Sequence, residues 1–216
     1  AAGLLGVGRI DQNKEIRWYS EKDGLLGEAT SVILTSNGKV YAGTNKGLYI
    51  LNGNNFDEVK YMDLNVYNIG IRRLVETSDG SLYITTYRNG VFKIKDGVSV
   101  NITYQGEGLF NSTYSVLETP EGEVLVGSSM GLLMVRDSAL VKFDEIQLAR
   151  PIYLMIYDES GQLWIGSDKG IYRWSGGELT NFSVIEGLAG NELNRDAGLL
   201  DSENNLWFGT NNGLTL

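Results

Sequence analysis

The stretch SGQLWIGSDKGIYRW, residues 160–174, contains the pattern on which the fold of this chain rests. A turn ending in glycine precedes an apolar strand, and a glycine, a short polar loop and a second glycine lead into another apolar strand. Short apolar strands joined by glycine turns are typical of antiparallel hairpins. Four other stretches follow the same order: NGKVYAGTNKGLYIL (37–51), DGSLYITTYRNGVFKI (79–94), EGEVLVGSSMGLLMV (121–135) and ENNLWFGTNNGLTL (203–216).

The pattern returns at a nearly constant spacing along the chain. Its turn residue, for which we predict a positive φ, falls at Gly38, Gly80, Gly122, Gly161 and Asn204. Glycine adopts that conformation freely, and asparagine tolerates it better than most residues. A period of roughly 40–45 residues, long enough for four short strands, is the size of one β-propeller blade.

These units predict an all-β chain with a single β-propeller domain over residues 1–216. The repeats lie near 24–61, 66–104, 108–143, 150–182 and 187–216, and residues 6–19 are expected to complete the last blade. The expected architecture is five four-stranded antiparallel blades with interleaved N- and C-terminal closure. Two segments, 6–11 and 213–216, both match a third strand, so an open fragment of a longer array remains the alternative.

The motif GQLWIGSDKGIYRW (161–174) resembles the repeat of two-component regulator propellers. A second element of that repeat, a G-L-x-x-N stretch, has counterparts in GLLGEAT (24–30), GLFNSTY (108–114) and GLAGNEL (187–193). The resemblance implies extracytoplasmic ligand-sensing domains, joined in the full-length protein to further propeller or signalling domains. No signal peptide or membrane-contacting segment is predicted, because the apolar stretch at residues 3–8 is too short for either.

Composition removes several function classes. The chain has no His and no Cys, which excludes serine or cysteine catalysis with a histidine base, thiolate or imidazole metal sites and disulfides. Its net charge of −9 opposes binding of nucleic acid. We predict no cofactor and no metal, since the acidic turns at 158–161 and 201–205 each offer only two carboxylates, too few for a calcium loop.

The candidate site follows from propeller topology. In such a blade, the loop before the first strand and the loop between the second and third strands open on the same side. Tyr67, Asn68, Tyr114 and Tyr153 lie in or near these loops, but turn geometry is the competing explanation for any single asparagine there. The predicted ligand-binding residues are Asn45, Lys46, Tyr87, Arg88, Asn111, Arg150, Asp168, Lys169, Asn191, Asn194, Arg195 and Asn211.

Amides, tyrosines and arginines together suit a carbohydrate or an anionic small ligand, including an oligosaccharide. The sequence therefore predicts a non-enzymatic extracytoplasmic sensor propeller, with Arg88, Arg150 and Arg195 favouring a ligand that carries carboxylate or sulfate. A protein-interaction scaffold is one alternative. The other is a glycan-active enzyme that uses two carboxylates, for which Glu28, Asp168, Glu192 and Asp196 are the candidates.

Overall fold

The computed structural model describes residues 2–60 and 69–216. Within them lie twenty-two β-strands and one short 3₁₀ turn, Glu21–Asp23. The predicted all-β class is confirmed. The chain divides into two compact units, Ala1–Thr103 (unit 1) and Tyr104–Leu216 (unit 2).

Unit 1 contains three antiparallel sheets whose strands follow chain order: β1–β2–β3, β4–β5–β6–β7 and β8–β9–β10–β11. The strands are β1 (Ala2–Gly3), β2 (Gly6–Ile10), β3 (Ile16–Tyr19), β4 (Ala29–Leu34), β5 (Val40–Thr44), β6 (Gly47–Asn52), β7 (Asn55–Glu58), β8 (Ile71–Glu76), β9 (Leu82–Thr86), β10 (Val91–Lys95) and β11 (Val98–Ile102).

Unit 2 also contains three antiparallel sheets: β12–β13–β14–β15, β16–β17–β18–β19 and β20–β21–β22. The strands are β12 (Thr113–Glu118), β13 (Val124–Ser128), β14 (Gly131–Arg136), β15 (Ala139–Lys142), β16 (Leu154–Tyr157), β17 (Leu163–Ser167), β18 (Gly170–Ser175), β19 (Glu178–Phe182), β20 (Leu193–Leu200), β21 (Leu206–Thr210) and β22 (Gly213–Thr215).

The β-propeller class is confirmed, but the predicted five blades with interleaved closure are wrong. The described residues form six sheets, of which four have four strands and the first and last have three. Residues 6–19 do not complete the last blade, because β2 pairs with β1 on one side and β3 on the other. The two-residue strand β1 therefore occupies the edge of β2 that closure would have needed.

Apolar cores lie between successive sheets within each unit. In unit 1, Val7 and Tyr19 of the first sheet pack with Tyr49 and Phe56 of the second. In unit 2, Ile171 packs with Phe208 of the last sheet. Sheets that stack face to face bury one another's apolar sides, as propeller blades do. Tyr41 is buried in such a core.

The turn residues behave as the repeat predicts. Gly38, Gly80, Gly122 and Gly161 have φ between 75° and 84°, and Asn204 has φ 61°. These positive values explain why the outer hairpin turn of each unit ends in glycine or asparagine.

A buried hydroxyl ends the second strand in each of the last five sheets, and it shapes the hairpin that follows. The hydroxyl donates to the carbonyl of the glycine that opens the third strand, and it accepts the N–H of a residue within that hairpin. Both bonds tie the side chain into the tight turn that follows it. The residues are Thr44, Thr86, Ser128, Ser167 and Thr210.

Candidate functional site

A β-bulge recurs near the start of the first strand. Strand pairing skips one residue in β4, β8 and β12, and that residue is Thr30, Arg72 or Tyr114, respectively. A bulge turns one extra side chain away from the regular alternation of the strand. The first strand of a blade therefore presents one additional side chain at its upper edge, by which we mean the edge where that strand begins and where the hairpin between the second and third strands turns.

The bulge in β20 is larger. Its pairing with β21 shifts between Leu193 and Gly198, so the intervening segment carrying Arg195 loops out of the ladder. Asp196 within this segment has φ 56°, a left-handed conformation that is uncommon for a residue with a side chain. The backbone N–H of Asp196 donates to the carbonyl of Tyr153, which precedes β16.

Two of these side chains, those of Tyr114 and Arg195, meet Tyr153 in unit 2. The rings of Tyr114 and Tyr153 contact edge to face with centroids 5.1 Å apart. The guanidinium carbon of Arg195 lies 5.2 Å from the centroid of Tyr114 and 6.0 Å from that of Tyr153. Both distances are within the range of cation–π attraction. We call Tyr114, Tyr153 and Arg195 the bulge cluster.

Charged side chains surround the bulge cluster. Arg150 and Asp168 form an ion pair at 3.4 Å. Burial raises the pKa of the Tyr153 hydroxyl above its ordinary value, and the nearby Tyr114, Asp168 and Glu192 raise it further, whereas Arg195 opposes the rise. The tyrosine therefore remains a neutral hydrogen-bonding group at neutral pH.

The two arginines differ in how their charges are compensated. Arg150 has its carboxylate partner in Asp168. Arg195 has no acidic side chain at ion-pair distance in the described part of the chain, and its contacts there are with two tyrosine rings. The N–H groups of a guanidinium lie in its own plane. A guanidinium that contacts aromatic rings can therefore still donate two of them to one carboxylate or sulfate.

Four of the predicted asparagines hold loops in place. Asn45 accepts the N–H of Glu28, and Asn191 accepts that of Val184. Asn111 binds both the N–H and the carbonyl of Tyr104. Asn194 donates to the carbonyl of Thr210. These amides have the local roles expected for turn residues, and their part in ligand binding stays a prediction.

The other predicted residues lie on exposed hairpins. Lys46, Tyr87 and Arg88 belong to unit 1, where the ring of Tyr87 lies under the guanidinium of Arg72 at 4.3 Å. Lys169 and Asn211 are exposed in unit 2. Tyr67 and Asn68 lie outside the described residues.

Sequence reasoning missed Arg72 and did not group the bulge residues. Arg72 stands directly after the fully buried Ile71, as Tyr114 follows Thr113 and Tyr153 follows Ile152. The position after that buried residue therefore holds the bulge residues Arg72 and Tyr114 and also Tyr153. This position lies in the first strand, before the glycine-framed pattern that reveals the repeats.

The carboxylate in the acidic turn at 158–161 accepts hydrogen bonds from its own hairpin. Asp158 accepts the indole N–H of Trp164 at 2.8 Å as well as two backbone N–H groups. Among residues 2–60 and 69–216, no group of three or more Asp and Glu side chains is placed to hold a metal ion. No helix in that part of the chain is long and apolar enough to cross a membrane.

Fold and repeat together define the class as a β-propeller. No family model and no curated protein matches the sequence. Solved structures do. The extracellular domain of the hybrid two-component system BT4673 from B. thetaiotaomicron superposes with a TM-score of 0.75 at 20% identity, over 96% of this chain and 31% of that one. That of BT3049, from the same organism, superposes with a TM-score of 0.74 at 17% identity, over 94% of this chain and 29% of that one.

The resemblance to two-component regulator propellers is thereby confirmed, and at these identities it establishes a shared fold. The chain spans about a third of the length of those sensor domains. A streptogramin B lyase is also similar, with a TM-score of 0.70 at 12% identity, over 98% of this chain and 71% of that one. The fold is therefore shared by sensors and by enzymes, so function has to be argued from the residues of the site.

Proposed function

We propose that this chain is the extracytoplasmic, non-enzymatic ligand-recognition part of a two-component-type sensor. Its ligand is a carbohydrate or small molecule that carries carboxylate or sulfate groups. The observation that carries this proposal is the bulge cluster, in which Arg195 lies against Tyr114 and Tyr153 without an acidic partner among the described residues. The extracellular sensor domains of similar fold support the location and the role.

The bulge cluster fits such a ligand in each of its parts. The guanidinium of Arg195 offers paired donors to an anionic group. The tyrosine rings offer apolar faces and hydroxyls to a sugar ring and its substituents. Asp168 and Glu192, close enough to influence the pKa of Tyr153, offer acceptors for sugar hydroxyls. In a chain of net charge −9, Arg195 supplies the local positive charge with which an anionic group can pair.

The residue inventory supports recognition rather than catalysis. One solved relative in fold is a virginiamycin B lyase from Staphylococcus aureus with a histidine-to-alanine substitution, described as catalytically inactive and bound to quinupristin. This chain contains no histidine. The carboxylate of Asp168, one of the candidates for glycan cleavage, is engaged with Arg150. A general base would have to come from the remaining carboxylates.

Thermal unfolding with and without ligand tests the proposal. Oligogalacturonate and a sulfated disaccharide are the anionic probes, and the neutral oligosaccharide of the same linkage is the control. At a ligand concentration of 100 Kd, binding should raise Tm by about 5–10 °C. Arg195→Ala should lose that rise, while its Tm without ligand stays within about 2 °C because the side chain is exposed.

The matched control is Arg136→Ala, since Arg136 is an exposed arginine that pairs with Glu123 at 3.7 Å near the outer turn of its blade. It should keep the full ligand-induced rise. An undiminished rise in Arg195→Ala would reject the bulge cluster as the site. Release of shortened products from the probe would reject the non-enzymatic role.

A further inference from the structure

A cavity of about 700 Å³ opens in unit 2 beside the sheet β12–β15. Its walls come from the loop that ends at Phe110, from the hairpin at Met130, and from residues 142–149, which lead from β15 towards β16. No residue of the bulge cluster lines it. The volume is within the range of pockets that hold small ligands, roughly 300–1,000 Å³.

The cavity arises where the repeat departs from its pattern. In the first full repeat, Leu25 is 1% exposed and packs in a core with Tyr49 and Phe56. The matching residue in the third repeat, Leu109, is 71% exposed. The segment 143–150, which follows β15, lacks the G-L element altogether. A loop that diverges on a repeating scaffold is a common place for a binding site.

The floor of the cavity is apolar. Phe110, Ile146 and Leu148 line it and are buried. Met130 lies at the rim, where its sulfur accepts the backbone N–H of Leu109 at 3.1 Å. This combination of an aromatic ring, branched aliphatic side chains and a pliable thioether favours an apolar side chain of a ligand.

The lining of the cavity also carries charges of both signs. Lys142, Glu107 and Asp144 all line it and are exposed. None of the three takes part in an ion pair with another described residue. The ammonium of Lys142 lies 5.1 Å from the ring centroid of Phe110, so it is held above the apolar floor. One cation and two anions are thus offered around a single apolar pocket.

We propose that this cavity binds a short apolar peptide with free termini. The terminal carboxylate pairs with Lys142, the terminal ammonium pairs with Glu107 or Asp144, and the side chains enter the pocket above Phe110. An anionic amphiphile would satisfy Lys142 but would meet two carboxylates. A cationic one would satisfy the carboxylates and be repelled by Lys142. A zwitterion with an apolar body can pair with the lysine and with a carboxylate and can also fill the apolar floor. This proposal does not depend on what the bulge cluster binds.

Calorimetric titration with the dipeptide L-leucyl-L-leucine tests this proposal. The N-acetylated dipeptide lacks the ammonium, and the C-terminal amide lacks the carboxylate. Each blocked form should bind about tenfold more weakly than the free dipeptide, since each loses one charge-assisted contact. Lys142→Met should weaken the free dipeptide by a similar factor and should leave the affinity of the amide unchanged.

Two further variants separate binding from folding. Ala149→Trp adds bulk at the exposed rim without removing a charge, and it should abolish binding of the dipeptide. Lys22→Met removes an exposed lysine in unit 1 and should change nothing. Equal affinity for free and blocked dipeptides, binding that survives Ala149→Trp, or no binding by the unaltered protein would overturn the proposal.

Discussion

Asp201 shows how one carboxylate can organise a blade's outer turn. It accepts hydrogen bonds from the backbone N–H groups of Glu203 and Asn205 and from the indole of Trp207, the last at 2.7 Å. These donors, the Trp207 indole foremost, hold the pKa of the Asp201 carboxyl at about 2, below its ordinary 3.8. The ionised form is therefore favoured by folding.

This lowered pKa predicts a stability that depends on pH. A carboxyl with a depressed folded-state pKa contributes stability above its unfolded pKa, near 3.8, and loses it as pH falls through about 2. Asp201→Asn should therefore be less stable than the unaltered protein at pH 6, and the difference should shrink between pH 4 and pH 2. Urea unfolding at each pH measures it.

The matched control is Glu203→Gln, whose carboxyl accepts no side-chain or backbone N–H from the described residues. The difference in stability between Glu203→Gln and the unaltered protein should not shrink in this way between pH 4 and pH 2. A difference for Asp201→Asn that stays constant from pH 6 to pH 2 would contradict the assignment.

Single residues of the site were predictable in type but not in role. Arg195 and Arg150 stood out because cations are scarce in an acidic chain. The structure places Arg195 against Tyr153 and pairs Arg150 with Asp168, which lies near the same tyrosine. The sequence could not show that Arg150 is neutralised by Asp168, since the two lie on different loops. It also could not separate asparagines that close loops from those that face solvent, because both kinds favour turns.

Glycines in the second strands explain how neighbouring sheets of a unit come close together. A Cβ added at Gly127 would collide with the hydroxyl of Ser115 and lie 2.5 Å from the carbonyl oxygen of Ile152, which belongs to the segment that begins the next blade. A Cβ added at Gly43 would collide with the side chain of Ile71, and one added at Gly166 would collide with the side chain of Leu193. The glycine that recurs in the second strand thus makes room for the first buried residue of the following blade.

Gly127→Ala should therefore destabilise the protein by about 1–3 kcal/mol, as expected when a packed interface is forced apart. Chemical denaturation followed by tryptophan fluorescence measures this. Gly3→Ala is the control, because no atom lies within 4 Å of a Cβ added there. Equal stability of the two variants would show that the sheets of unit 2 can separate without cost at this position.

Element boundaries were predictable where the repeat supplied a turn residue, and less so elsewhere. All five predicted outer turns have positive φ. The bulges could not be read as such, because a bulge is defined by the partner strand and not by its own residues. Both the looped-out segment of β20 that carries Arg195 and the single-residue bulges of β4, β8 and β12 are recognised from the pairing with the neighbouring strand.

For the whole chain, periodicity determined the fold class but not the number of sheets. The pattern at 213–216 and that at 6–11 both match a third strand, so local residues could not say which strands pair with one another. The structure pairs each within its own three-stranded sheet. The two-residue strand β1, which decides this for the N-terminal sheet, is too short to leave a period in the sequence.

The most direct test of the account is a titration of ¹⁵N-labelled protein with digalacturonate, followed by ¹H–¹⁵N correlation spectra. We expect saturable shifts at the amides of residues 113–115, 152–154 and 193–197, which surround the bulge cluster, and their loss in Arg195→Ala. Shifts that persist in Arg195→Ala, shifts confined to other parts of the chain, or an unchanged spectrum at millimolar ligand would contradict recognition of an anionic ligand at this site.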